Sequence, residues 1–163
     1  MPIAVEKNLA LKVADAVWVA TAMLHREHPK AEGFSVAEIV EKVKRETLTD
    51  KEDISIYTHV NQHCVANRPP NQAKLRMLFE TKDEMRRLFC PSDTFHAERE
   101  GRVVPKMADI PMDLWPLLKW YEDWCTKRRG RAIVDDPLMA LAGSGKGMWS
   151  DDAVKHVNRL RAE

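Results

Sequence analysis

The chain is short of cysteine, of net charge and of long apolar runs, and each shortage closes a class of explanation. Its 163 residues hold three cysteines, Cys64, Cys90 and Cys125. The number is odd, the spacing wide, and no Cys-x-x-Cys occurs, so reduced thiols in a cytoplasm are expected rather than a disulfide framework. No segment approaches eighteen apolar residues, so no membrane span is expected. The first residues also lack the basic head and continuous apolar run of a signal peptide. With 26 basic and 25 acidic residues the formal net charge is +1. No global field draws nucleic acid, and any basic footprint must be a local patch. Missing too is a convergent set of titratable groups such as an enzyme needs: a Ser/His/Asp order, paired carboxylates in a strand-rich core, or a Cys/His dyad. The nearest cluster, His96 with Glu98 and Glu100, is interleaved by Arg99 and Arg102 and reads as a loop ion-pair group. The expectation is a protein that is not an enzyme and uses no cofactor and no metal.

What is present is 44% hydrophobic residues, enough for one ordinary domain with extensions and a core that needs no staples. Residues 5–27 read as a long helix. Leu9, Val13, Ala16, Val17, Ala20, Met23 and Leu24 recur at three- and four-residue steps until Pro29 stops the pattern. Ser35-Val36-Ala37-Glu38 spells a capping box, and the helix it opens runs to about residue 46 with Val36, Ile39, Val40 and Val43 inward. Asp53 or Ser55 caps a third helix through about Val65, which Pro69 and Pro70 end. Two strand candidates follow, Leu75 to Glu80 and Met85 to Cys90, joined by the charged turn Thr81-Lys82-Asp83-Glu84. Pro91, Pro105, Pro111 and Pro116 make the next stretch irregular, and a last domain helix covers Leu114 to Lys127. The expected core joins Phe34, Ile39, Val43, Ile56, Val60, Leu78, Leu88 and Leu118.

Three helices followed by a hairpin is the order of a winged helix-turn-helix. The expected fold class is therefore mainly α, of α+β type, with a β-hairpin wing and a C-terminal domain helix. The third helix presents Thr58, His59, Asn61, Gln62 and His63 outward, with Arg68 at its end. Such groups suit base edges, since Asn and Gln pair bidentately with adenine and Arg with guanine. Lys82, Arg86 and Arg87 on the hairpin, with Lys74 and Arg76 beside it, are placed for phosphates. Arg86 and Arg87 also suit a solvated hairpin edge that blunts strand pairing. His59 and His63 stand at i and i+4 with Cys64 adjacent. As a metal site they lack an intervening acid and a further ligand, so hydrogen bonding to backbone or DNA is the preferred role. Gly143-Ser144-Gly145-Lys146 is not a phosphate loop, because Ala140 stands where the first glycine belongs and Gly147 where a hydroxyl must hold magnesium. Trp115, Trp120, Tyr121 and Trp124 recur at helical spacing, as core and lid residues do.

Residues 34–124 resemble an uncharacterised family of bacterial winged-helix domains. The resemblance is carried by His59-Val60-Asn61-Gln62-His63-Cys64, Ala66-Asn67, Arg87-Leu88-Phe89 and Trp120-Tyr121, and it implies a fold without an activity. A second resemblance lies beyond the basic run Lys127-Arg128-Arg129-Gly130-Arg131, in a stretch too short to bury its own apolar residues. Asp136-Pro137-Leu138, Ala140 through Lys146, Trp149 with two acidic residues after it, and His156 to Arg161 resemble the toxin-binding tail of VapB-type antitoxins. His156 and Asn158 depart from the aromatic and basic residues usual there. This resemblance implies a PIN-domain ribonuclease toxin as target. Leu138, Leu141, Trp149, Val154, Val157 and Leu160 would be the tail's contacts, and Arg159 or Arg161 the guanidinium that enters the toxin's acidic metal site.

The organisation expected is thus an N-terminal helix within the core (1–33), a winged-helix domain (34–126), a basic connector (127–134) and a partner-binding, antitoxin-like tail (135–163). The expected function is a cytoplasmic, DNA-binding transcriptional regulator of a toxin–antitoxin system, whose tail neutralises the ribonuclease. Double-stranded DNA, the PIN-domain toxin and a second copy of the chain in a homodimer are the expected partners. The alternative is a non-catalytic protein-interaction module with a winged-helix fold and a self-packed tail.

Overall fold

The segment around Ala14 to Leu24 is apolar on nearly every side rather than along one stripe, and a helix of that kind belongs inside a fold. In the computed structural model, which describes residues 10–70 and 73–135, α1 (Val13–Glu27) buries Ala16, Val17, Trp18, Val19, Ala20 and Ala22 completely. Its polar members are accommodated individually. Thr21 donates its hydroxyl to the Val17 carbonyl at 2.8 Å, and Asp15 faces Arg102 at 3.3 Å. Residues 1–9, where the expected helix would begin, lie outside the described residues.

The capping box at the start of α2 (Val36–Arg45) is present in both halves. The Glu38 amide donates to Ser35 Oγ at 3.1 Å, and the Ser35 amide donates to Glu38 Oε2 at 2.7 Å. At its other end the Leu48 amide reaches the Val43 carbonyl and the Thr47 amide reaches that of Lys44. That is the bond pattern of a Schellman motif, with Thr47 at φ 50° in the left-handed position glycine usually fills. The third helix is shorter than expected as an α-helix: α3 covers Asp53–Thr58 and continues as a π turn over His59–His63. The Cys64 amide, bonded to the His59 carbonyl at 3.0 Å, marks the wider turn.

The hairpin is also shorter than the two apolar runs. Strands β1 (Leu78–Glu80) and β2 (Arg86–Leu88) pair antiparallel, with Leu78 opposite Leu88, Phe79 opposite Arg87 and Glu80 opposite Arg86. Single bridges extend it on both sides, from Phe34 to Arg86 and from Val65 to Leu78. The chain before β1 is held by the end of the third helix, since the amides of Met77 and Leu78 both donate to the Cys64 carbonyl. Among the described residues the fold is thus mainly helical, with four α-helices and one small antiparallel hairpin.

Phe34, Ile39, Val43, Ile56, Val60, Leu78 and Leu88 are buried as expected, but Leu118 is only half-buried. Leu117 and Tyr121, one helical turn apart, face the core in its place. Tyr121 packs edge-on against Trp18 with ring centroids 5.6 Å apart, and its hydroxyl donates to the Phe89 carbonyl. Helix α4 (Trp115–Asp135) runs through 127–134, so the expected connector is helical. The chain divides into two units, residues 1–123 and 124–163. Cys64 is a free, fully buried thiol. The tail residues Leu138, Leu141, Trp149, Val154, Val157, Arg159, Leu160 and Arg161 lie outside the described residues.

Candidate nucleic-acid interface

A helix that stops leaves its last four carbonyls without intrahelical donors. In the third helix these belong to Val60, Asn61, Gln62 and His63, and every one of them accepts from an arginine. Arg86 Nε donates to Val60 O at 3.2 Å. Arg86 Nη2 and Arg68 Nη1 both donate to Asn61 O at 3.3 Å. Arg99 Nη2 donates to Gln62 O at 2.8 Å and Arg99 Nη1 to His63 O at 2.9 Å. Three guanidinium ions at the negative end of the helix also complement its dipole.

This arrangement corrects the expected roles of the hairpin arginines. Arg86 is 1% exposed. It donates further to the Glu84 carbonyl at 2.8 Å and lies 3.7 Å from Glu80. Burial pulls its pKa down, with the Glu80 carboxylate opposing. Arg87 is buried as well, bonded through both terminal nitrogens to Asp93 at 2.7 and 2.9 Å, with its guanidinium 4.2 Å from the Phe79 ring centre. Successive strand residues do point to opposite faces, but both faces of β2 are covered. The helix end covers one and the Asp93 loop the other. Arg68 is half-buried and forks onto Glu80 at 2.5 and 2.9 Å. Those hydrogen bonds hold the Glu80 carboxyl below its ordinary range against the opposing effect of burial.

Fewer of the expected cations therefore face solvent than the sequence suggests. Lys74 and Lys82 are exposed. Arg76 is half-buried, donates to the Gly101 carbonyl at 3.1 Å and sits 4.9 Å from the Phe95 ring centre. Residues 10–123 contain 17 basic and 19 acidic side chains, so no broad positive field surrounds the surface.

The polar groups of the third helix stay together on a half-exposed surface. Thr58 bonds back to the Ile54 carbonyl at 2.7 Å. His59 Nδ1 lies 2.8 Å from the Ser55 carbonyl, which makes it the donor. The His59 and His63 rings meet edge to face at 4.9 Å. Asn61 Oδ1 is 3.4 Å from Arg86, while Gln62 is half-buried. His63 Nδ1 is buried without a hydrogen-bond partner. Burial first, then His59 and Arg99, push its pKa down, favouring the neutral ring. Beside these groups Ile54 and Tyr57 are 66% and 49% exposed. An open groove of about 560 Å³ runs between α2 and α3, lined by Ala37, Val40, Glu41, Lys44, Arg45 and Tyr57. Among the described residues no three His, Cys, Asp or Glu side chains cluster as metal ligands, and burial raises the Cys64 thiol to about 12.

The residue that sequence reasoning misread is Arg99, treated as a member of a loop ion-pair group. It is 1% exposed and donates to five carbonyls, those of Gln62, His63, Arg68, Pro69 and Leu75. Arg102, its supposed companion, instead contacts Asp15 and Asp109. The one available signal was Gly101. A Cβ there would stand 2.5 Å from the Lys74 carbonyl oxygen, so only glycine lets the segment carrying Arg99 close on residues 74–75. No known protein family, curated protein or solved structure matches the chain.

Proposed function

We propose that the chain is a non-catalytic, DNA-binding regulator of the antitoxin type, with a winged-helix domain and a C-terminal segment, 135–163, that neutralises a PIN-domain ribonuclease. The observation that carries the DNA half is the third helix. It follows two others, precedes the hairpin, and keeps His59, Gln62 and His63 half-exposed on an end fixed by arginines. The Phe34–Arg86 bridge supports the winged arrangement, because it ties the hairpin to the chain just ahead of α2. In this reading His59, Gln62 and His63 approach base edges, with Asn61 behind them, while Lys74 and Lys82 supply the phosphate contacts. Arg68, Arg86 and Arg87 act indirectly, by holding the helix end and the hairpin. The toxin half rests on the resemblance of the tail to VapB-type antitoxins.

A protein-interaction role for the same surface is the second reading. It is favoured by the exposed Ile54 and Tyr57 and by the even charge balance, since interface cores are apolar and poor in charge. Duplex binding at low salt separates the two. Gln62→Ala and His59→Ala should reduce discrimination between duplex sequences, whereas Ile54→Ser with Tyr57→Ser should leave it intact. Absence of any duplex affinity at low salt would rule out the regulator and leave the protein-binding role. For the tail, removing residues 135–163 should leave the melting temperature of the remainder nearly unchanged and abolish inhibition of a co-expressed PIN-domain nuclease. Continued inhibition by the shortened protein would refute the assignment.

A further inference from the structure

The five carbonyls around Arg99 form a site shaped for one planar, five-donor cation. Nε points to Arg68 O at 2.6 Å, Nη1 to His63 O and Leu75 O at 2.9 and 2.7 Å, and Nη2 to Gln62 O and Pro69 O at 2.8 and 3.3 Å. Every N–H of a guanidinium has an acceptor, which an ammonium with three donors cannot reproduce. Arg99 makes no ion pair with a carboxylate among the described residues; backbone dipoles alone offset the burial of its charge. Two of the five acceptors are the terminal carbonyls of the π turn, and the other three belong to the chain that leads from the helix to β1. Glu98 and Glu100 on either side are exposed, so the burial of Arg99 is particular to it. The Gly101 amide, which donates to the Lys74 carbonyl at 2.7 Å, holds it there.

We infer that Arg99 is the positioning residue of the candidate interface: by filling a guanidinium site built from backbone carbonyls, it sets the end of the π turn and hence the outward presentation of Gln62 and His63. The site itself stands on the hydrogen bonds above. Its consequence for recognition rests on the DNA reading proposed for the same helix.

The test is chemical rescue. Methylguanidinium reproduces the guanidinium plane of arginine together with the carbon on Nε, while methylammonium carries the same charge without the fork. Arg99→Ala should melt at a lower temperature than the natural protein. Millimolar methylguanidinium should raise that temperature, methylammonium should not, and neither should raise it in the natural protein. If Arg99→Ala does not fold alone, recovery of its fold by methylguanidinium and not by methylammonium is the same support. Equal responses to both cations, or no response, would overturn the site. The positioning role is read on Arg99→Lys, which keeps the charge and loses the fork. The imidazole resonances of His63 should shift in Arg99→Lys, while those of His28, on the exposed end of α1, stay unmoved. Unchanged His63 resonances would overturn the positioning role even if the rescue succeeds. Neither readout involves DNA, so a protein that passes both and binds no duplex refutes the proposed function and leaves this inference standing.

Discussion

The sharpest consequence of the buried arginines concerns salt. A protein that neutralises Z phosphates shows an affinity falling with log salt at a slope of about −0.9Z. The sequence suggests five cations for this role, Lys74, Arg76, Lys82, Arg86 and Arg87, with Arg68 beside them for a base edge, which would give a slope of roughly −4.5. In the folded protein Arg86 and Arg87 are buried and Arg68 is forked onto Glu80. That leaves Lys74 and Lys82, with Arg76 as a third cation whose Nε is already engaged. With Z at two to three the slope should be about −2 to −3, so that a change from about 50 to 200 mM salt weakens binding roughly 10- to 40-fold. Five contacts would weaken it by about 500-fold over the same range. Fluorescence anisotropy of a labelled duplex, titrated at four or five salt concentrations, measures the slope directly. Replacing Lys74 and Lys82 by Ala together should reduce its magnitude by about 1.8 without changing the melting temperature appreciably, because both side chains are exposed. A slope of about −4.5 in the natural protein, or one that the double substitution leaves alone, would refute the assignment of these two lysines and the exclusion of the arginines.

Three further outcomes can be checked on the isolated protein. Thr47 holds a left-handed conformation in the Schellman motif after α2, so Thr47→Gly should raise stability by about 1 kcal/mol in urea unfolding; a loss of stability would count against the motif. Because the folded pKa of His63 is lowered, the unfolded chain binds the extra proton more readily as pH falls through the ordinary histidine value of 6.5. Stability should therefore fall between about pH 7.5 and 5.5, and His63→Gln should flatten part of that slope, seen as a smaller difference in urea midpoints; an unaltered slope would show that His63 does not contribute. Gly101→Ala should destabilise by at least about 1–3 kcal/mol, since the added carbon meets backbone atoms rather than a movable side chain; a neutral effect in thermal melts would mean that residues 99–102 do not close tightly on residues 74–76.

Local signals were legible wherever a short stretch contains both halves of an interaction. Ser35 and Glu38 define the start of α2 by bonding each other's backbone amides, Pro29 and Pro69 mark where helices cannot continue, and the alternation around Leu78 and Leu88 locates the hairpin. The apolar spacing also identified most of the core, because burial follows from period and hydrophobicity alone. The choice between Leu117 and Leu118 and the π turn over His59–His63 depended on what each helix packs against. The arginines were the least legible. Arg68 and Arg87 found carboxylates, Glu80 and Asp93, that a sequence at least displays. Arg86 and Arg99 instead bond mainly to backbone carbonyls, and a carbonyl is the same group at every residue. Composition and pattern determine that a helix will end near Cys64 and leave four acceptors open. Which guanidinium ions close over them, and which cations therefore remain for a partner, is decided only when the hairpin and residues 99–101 fold back against that end.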